Sequence, residues 1–163
     1  MKPADCATVF IAALALAACA TVPVLPVGAP EAQVRAALGE PVLVLSDPAG
    51  GRHLAYPRGP GGTETHMARI GPDGRLVALE QVLTEAQFAK IRRGETTQEE
   101  LLRLIGPPWR KIEFGNLRQV AWDYRFRDLW GYLADFSAMV DERGVVASTV
   151  TARIEPRSGS GRD

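Results

Sequence analysis

Thr97-Gln98-Glu99-Glu100-Leu101-Leu102-Arg103-Leu104-Ile105-Gly106-Pro107-Pro108 decides the fold, because it contains both ends of a helix and has an echo earlier in the chain. Thr97 with Glu100 three residues on makes a capping box, in which each side chain satisfies a backbone N–H of the other residue. Leu101, Leu104 and Ile105 recur at helical spacing and define one apolar face. Gly106 accepts the left-handed cap and Pro108 cannot continue a helix, so the helix stops there. Ala32 to Pro41 repeats the pattern, with Val34, Ala37 and Leu38 on the apolar face and Gly39 followed by Pro41 at the stop. Two copies of one unit follow from this self-similarity.

Strand signals lie downstream of each helix. In Gln119 to Arg127, Val120, Trp122, Tyr124 and Phe126 point one way, while Gln119, Ala121, Asp123, Arg125 and Arg127 point the other. This alternation predicts a half-buried antiparallel strand. Thr65 to Ile70 turns at Asp73-Gly74 into Leu76 to Val82, and Phe136 to Asp141 turns at Arg143-Gly144 into Val145 to Ile154, both hairpin patterns. Another box, Thr84 with Gln87, opens a helix through Phe88, Ala89 and Ile91. The fold class is therefore α+β, with two tandem small units, each one or two short helices packed on a three- or four-stranded antiparallel sheet. The first unit spans residues 30–82 and the second 83–155. Neither is large enough to be comfortable alone, so the halves are expected to pack together, with one continuous sheet as a way of doing so.

The N-terminus carries a different signal. The apolar run from Val9 to Ala18 is too short to span a bilayer as a helix but fits the core of a signal peptide. Leu16-Ala17-Ala18-Cys19 reads as a lipoprotein processing site, although Lys2 is the only cation ahead of the run and Asp5 offsets it. Residues 1–18 are then the signal peptide and Cys19 the lipidation site. Cleavage there removes Cys6, leaving one thiol and no intramolecular disulfide. Thr21-Val22-Pro23-Val24-Leu25-Pro26 reads as part of an extended tether over residues 19–29. Residues 156–163, rich in glycine, serine and charge, are expected to be disordered.

Composition narrows the function classes. About 145 residues remain after processing, enough for one ordinary domain or two very small ones. A formal net charge of +0 argues against a nucleic-acid partner, which recruits excess Lys and Arg. The two histidines, His53 and His66, fall in different strands and outside any His-Glu-X-X-His arrangement. Ser46-Asp47 and Ser137 lack a nucleophile-elbow setting. Arg58-Gly59-Pro60-Gly61-Gly62 precedes a strand and reads as a hairpin connection, since phosphate loops feed a helix N-terminus. Asp123, Asp128, Asp135 and Asp141 are spread along alternating strands without calcium-loop spacing. The expectation is a chain with no catalytic residues, no metal, no cofactor and no small-molecule substrate.

The stretch that stands out is aromatic. Arg125, Phe126, Arg127, Asp128, Leu129, Trp130, Gly131 and Tyr132 run from the best strand into a loop, and Trp, Tyr and Arg are enriched among interface hot spots. Arg125, Phe126, Trp130 and Tyr132 are the candidate partner-binding residues. Trp109, past the proline stop, reads as a lid on the helix end.

Leu83-Thr84, Ile91, Gly94, Thr97, Leu101 and Ile105-Gly106-Pro107-Pro108, followed by Trp122-Asp123-Tyr124 and Asp141-Glu142-Arg143-Gly144-Val145-Val146, together resemble the SmpA/OmlA (BamE-like) family of outer-membrane lipoproteins over roughly residues 83–154. The first half resembles a degenerate second copy. Gly94 precedes Thr97 by three residues where the family pattern has two, which marks a one-residue insertion; Gly28 and Pro30 keep the usual spacing. The resemblance implies a lipid-anchored, periplasm-facing protein-binding or scaffolding module of the outer membrane, whose partner is an envelope protein such as the β-barrel assembly machinery. The tandem arrangement is also similar to β-lactamase inhibitor proteins, which implies as the alternative an inhibitor or ligand-binding module with aromatics of both halves on one exposed face.

Overall fold

A computed structural model describes residues 23–155. The signal peptide, Cys19 and the tail over residues 156–163 lie outside the described residues. The first unit contains helix α1 (Glu31–Leu38) and strands β1 (Leu43–Ser46), β2 (Arg52–Arg58), β3 (Glu64–Ile70) and β4 (Leu76–Gln81). The second contains the single-turn helix α2 (Glu85–Phe88), helix α3 (Gln98–Ile105) and strands β5 (Arg110–Phe114), β6 (Gln119–Arg127), β7 (Leu133–Asp141) and β8 (Val146–Arg153). Each unit has one four-stranded antiparallel meander, β1-β2-β3-β4 and β5-β6-β7-β8. The sheets stay separate, so the continuous sheet is not the solution adopted.

The copies match in backbone detail. In the first, Gly28 N donates to Leu76 O at 2.7 Å, Leu76 N donates to Ala29 O at 2.8 Å, and Glu31 N donates to Gly74 O at 3.0 Å. In the second, Gly94 N donates to Val146 O at 2.8 Å, Val146 N donates to Thr96 O at 2.9 Å, and Gln98 N donates to Gly144 O at 2.7 Å. The segment before each helix thus straps it to the last hairpin of its own sheet, sealed by the isolated bridges Pro30 to Arg75 and Thr97 to Val145. Glu95 is the extra residue in the second strap. The strap also shortens the tether, because Leu25 packs on the first core and Ala29 is buried. Residues 25–29, expected as free tether, belong to the first unit.

The α3 capping box forms with both reciprocal bonds, whereas α2 shows only the half in which Thr84 accepts from Gln87 N, and it ends at Phe88. The stopping glycines are not left-handed caps: Gly39 lies at φ 82, ψ −168 and Gly106 at φ 79, ψ −167. That region is open in practice to glycine alone, so the residue requirement stands although the geometry differs.

Two cores form. Val34 and Leu38 of α1, with Ala37 left exposed, pack on Leu54, Tyr56, Ala68, Ile70 and Leu76. In the second unit Leu101, Ile105 and Phe88 pack on Trp122, Tyr124, Phe126, Phe136 and Val146. Phe88 stacks on Phe136 at 4.1 Å and meets Phe126 edge-on at 4.8 Å.

Helix α3 also closes the gap between the units. Arg103 Nε donates to Ser46 O at 3.2 Å, and a Cβ on Gly106 would sit 2.8 Å from the Thr65 methyl and 3.7 Å from Ala55 and Met67. Ala55, Met67 and Val82 form a buried cluster on the face of the first sheet that α1 does not cover. The order of layers is α1, first sheet, α2 with α3, second sheet. Because α3 starts at the Val145 turn and ends beside Tyr124, and passes Ser46 before Thr65, the straps of both units lie at one end. The β2–β3 and β6–β7 connections lie at the other.

Two paired substitutions test this account by urea unfolding. Gly39→Ala, where a Cβ meets nothing within 4 Å, is expected to lose only the backbone strain of about 1–3 kcal/mol, while Gly106→Ala loses more because Thr65 must move. Tyr124 donates its hydroxyl to Gly106 O at 3.2 Å, whereas the buried hydroxyl of Tyr56, its counterpart in the first copy, finds no partner among the described residues. Tyr124→Phe is expected to cost about 1–3 kcal/mol by orphaning a buried carbonyl, and Tyr56→Phe to be neutral or stabilising.

Candidate functional site: a braced aromatic turn

The β6–β7 connection is short, and a single carboxylate organises it. Asp128 Oδ1 accepts from the backbone N–H of Trp130 and of Tyr132, both at 2.9 Å, and Oδ2 accepts from Arg153 Nε at 2.6 Å. Its backbone joins in: Asp128 N donates to Tyr132 O and Gly131 N donates to Asp128 O, each at 2.9 Å. Arg127 then donates to Gly131 O at 2.9 Å from outside. Gly131, at φ 81, supplies the conformation that lets the chain turn back.

Side chains that fit neither core crown this frame. Leu129 is 85% exposed, Trp130 79% and Tyr132 59%, and Leu133 and Ile154 extend the surface. The Arg153 guanidinium lies 4.9 Å above the Tyr132 ring, so the cation that pairs with Asp128 also orients an aromatic. A large apolar group held by a rigid turn loses little entropy on binding, a property of interface anchors.

The four candidate residues separate. Trp130 and Tyr132 are on the turn. Arg125 sits on β6, bonded to Asp135 through Nε at 2.9 Å and Nη2 at 3.1 Å, with its guanidinium 4.6 Å from the Trp109 ring. Hydrogen bonding to Asp135 raises its pKa, and it is a partly exposed group held in an ion pair. Phe126 is a correction: it is fully buried against Phe88, because it shares the inward period of Trp122 and Tyr124. It offers nothing to a partner. Leu129 and Asp128 were missed, although an Asp two residues before an N–H it can bond is a recognisable turn signal.

Trp109 lies between the helix stop and β5. Its N–H donates to Asp123 O at 3.0 Å, its ring lies under the Arg110 and Arg125 guanidinium groups, and it is 42% exposed. Beside it Asp123 is buried, with Oδ2 accepting from Arg110 Nε at 3.0 Å and Nη2 at 2.7 Å, and Oδ1 accepting from Ser137 Oγ at 2.7 Å. Strand β6 is thus buried on both faces at its centre, rather than half-buried.

Among the described residues, the exposed large aromatics, Trp109, Phe114, Trp130 and Tyr132, all belong to the second unit. The histidines do not meet: His53 Nε2 lies 2.8 Å from Asp47 on the face of Ala55, and His66 Nε2 lies 3.2 Å from Glu64 on the opposite face. No group of three or more His, Cys, Asp or Glu placed to hold a metal occurs among the described residues.

Burial acts to raise the pKa of Asp128, but Arg153 and the Tyr132 and Trp130 N–H groups outweigh it and hold the carboxyl below the ordinary aspartate value. A lowered folded-state pKa contributes stability above the unfolded value, and that contribution is lost as pH falls through the lowered pKa. The amide resonances of Trp130 and Tyr132 should therefore keep their positions at neutral pH and shift only below the ordinary aspartate range. In Asp128→Ala both amides should lose hydrogen-exchange protection at neutral pH while the Phe126 amide in the core keeps its own.

No protein-family model, curated protein or solved structure matches the chain.

Proposed function

We propose that the chain is a lipid-anchored, periplasm-facing protein-binding or scaffolding module of the outer membrane, similar in role to the SmpA/OmlA lipoproteins it resembles. The observation that carries this reading is the turn over residues 128–132, where Asp128 and Arg153 hold Trp130 in water. A carboxylate that fixes the backbone around an exposed tryptophan supports the reading of a binding device. The exposed aromatics among the described residues lie on the second unit, which speaks against a face shared by both halves, and the two most exposed, Trp130 and Tyr132, share the turn.

The mechanism is tethering plus docking. Acyl chains on Cys19 hold the domain at the membrane, since each buried methylene contributes about 0.8 kcal/mol and several chains together give stable anchoring. Few residues separate Cys19 from Leu25, which is already packed, so the strap end faces the bilayer. The Trp130 turn lies at the far end of the strands, about 30 Å away at 3.3 Å per residue over a nine-residue strand. The partner of this module is met on its aqueous side.

Two measurements test this. Mass spectrometry of the N-terminus after expression in a Gram-negative host should find acylated Cys19, and Cys19→Ser should abolish the acyl mass and release the protein from membranes. A photo-reactive residue at position 130 should give a discrete protein adduct in intact envelopes, while one at Val44 should not. An unmodified N-terminus removes the anchor; equal labelling at both positions removes the docking turn.

A further inference from the structure

We propose that strand β8 is a pairing edge and that its occupant is β8 of a second copy of this chain, joining two second sheets into one eight-stranded antiparallel sheet. The four edge strands are protected unequally. An exposed edge carries unpaired N–H and C=O groups, and proteins blunt it with short length, charge or proline. Strand β1 has only four residues. Strand β4 carries Glu80 beside Arg69 and ends where Gln81 Oε1 accepts from Leu83 N at 2.6 Å, bending the chain away. Strand β5 has Arg110, Lys111 and Glu113 among its five residues. Strand β8 has eight residues, and Val146-Ala147-Ser148-Thr149-Val150-Thr151-Ala152 contains no charge, proline or glycine.

The backbone register shows which groups are free. Ile154 N donates to Leu133 O at 2.9 Å, so alternation makes Ala152 with Asp135, Val150 with Ser137, and Ser148 with Met139 the bonded pairs of the ladder. The N–H and C=O of Thr149, Thr151 and Arg153 therefore point to the open edge. The strap covers Val146 through Gly94 and Thr96, and beyond it no other backbone pairs with this edge among the described residues.

These outward groups are self-complementary. With a twofold axis through Val150, Thr149 of one copy bonds Thr151 of the other, and Thr151 bonds Thr149. Both are outward-facing, as a bonded antiparallel pair requires. Val150, 58% exposed, meets its own counterpart, and β-branched cross-strand pairs of this kind are favourable. Arg153 falls opposite Ala147, so no like charges oppose each other. The strands run antiparallel, so the Trp130 turns lie at opposite ends of the joined sheet and outside the pairing seam, each beside the strap end of the other copy; pairing and the upright anchored arrangement exclude each other, and the dimer is the form of copies away from the bilayer surface.

The test uses the full chain in detergent, with protein mass measured by light scattering after subtraction of the detergent. The wild type is expected at twice the protomer mass. Thr151→Pro should be monomeric with unchanged thermal unfolding, because the N–H it removes serves nothing inside the protomer and proline is tolerated with that side outward. Val150→Lys, which sets two cations face to face, should be monomeric too. In a Cys6→Ser, Cys19→Ser background, Val150→Cys should form a disulfide-linked dimer on mild oxidation at least tenfold faster than Ala152→Cys, since the register sets the two copies of residue 152 four residues apart, beyond disulfide reach. A monomeric wild type, a dimer that survives Thr151→Pro, or equal linking at 150 and 152 overturns the proposal.

Discussion

Gly106 is the point where everything else meets. Its N–H closes α3 onto Leu102, its carbonyl accepts the Tyr124 hydroxyl from the second sheet, and its missing Cβ is the space into which the Thr65 methyl of the first sheet fits. One residue without a side chain therefore sets the end of the helix, its height above one sheet and its distance from the other. Layers pack near their own spacing only when such a point exists, because protein interiors transmit misfit rather than absorb it. The equivalent Gly39 has the same backbone angles and no such neighbours, for α1 has a sheet on one side only.

The two copies show what duplication holds and what it relaxes. The strap, the stopping glycine and the final hairpin recur bond for bond, since without them the helix would have no fixed position on its sheet. What has drifted is peripheral to that task. Pro30 replaces the capping threonine, so α1 begins without a side-chain cap, and the buried Tyr56 hydroxyl finds no partner among the described residues. Burial pushes that phenol's pKa up, as it does for Tyr124, but only Tyr124 gives its proton a use.

Much of the secondary structure was legible because it depends on neighbours in sequence. The α3 capping box, the strand over Gln119 to Arg127 and both final hairpins follow from caps, alternation and turn residues, all of which are local chemistry. The layering was not legible. That Ala55, Met67 and Val82 lie beneath α3 depends on contacts between units, and nothing within β2 or β3 distinguishes a face covered by one's own helix from a face covered by the next. At the aromatic turn the exposure of Trp130 was readable from its polar and glycine neighbours. Phe126 was placed among surface residues although its own period assigns it to the interior. Asp128 escaped notice because its work is done on backbone amides, which a search for side-chain constellations does not register.

The cluster of Arg110, Asp123 and Ser137 has a consequence for how far this architecture can grow. It runs across β5, β6 and β7 in the row where the first unit has Leu43, Ala55 and Met67, the apolar row that receives the next helix. In a stacked array every inner sheet must offer such a landing row and the last must not. Here the row is written in ions and hydrogen bonds that satisfy one another, so a further helix arriving there would strip water from Arg110 without the apolar row that Leu43, Ala55 and Met67 supply. The outer face of the second sheet thus lacks the apolar landing row that the first sheet offers to α3.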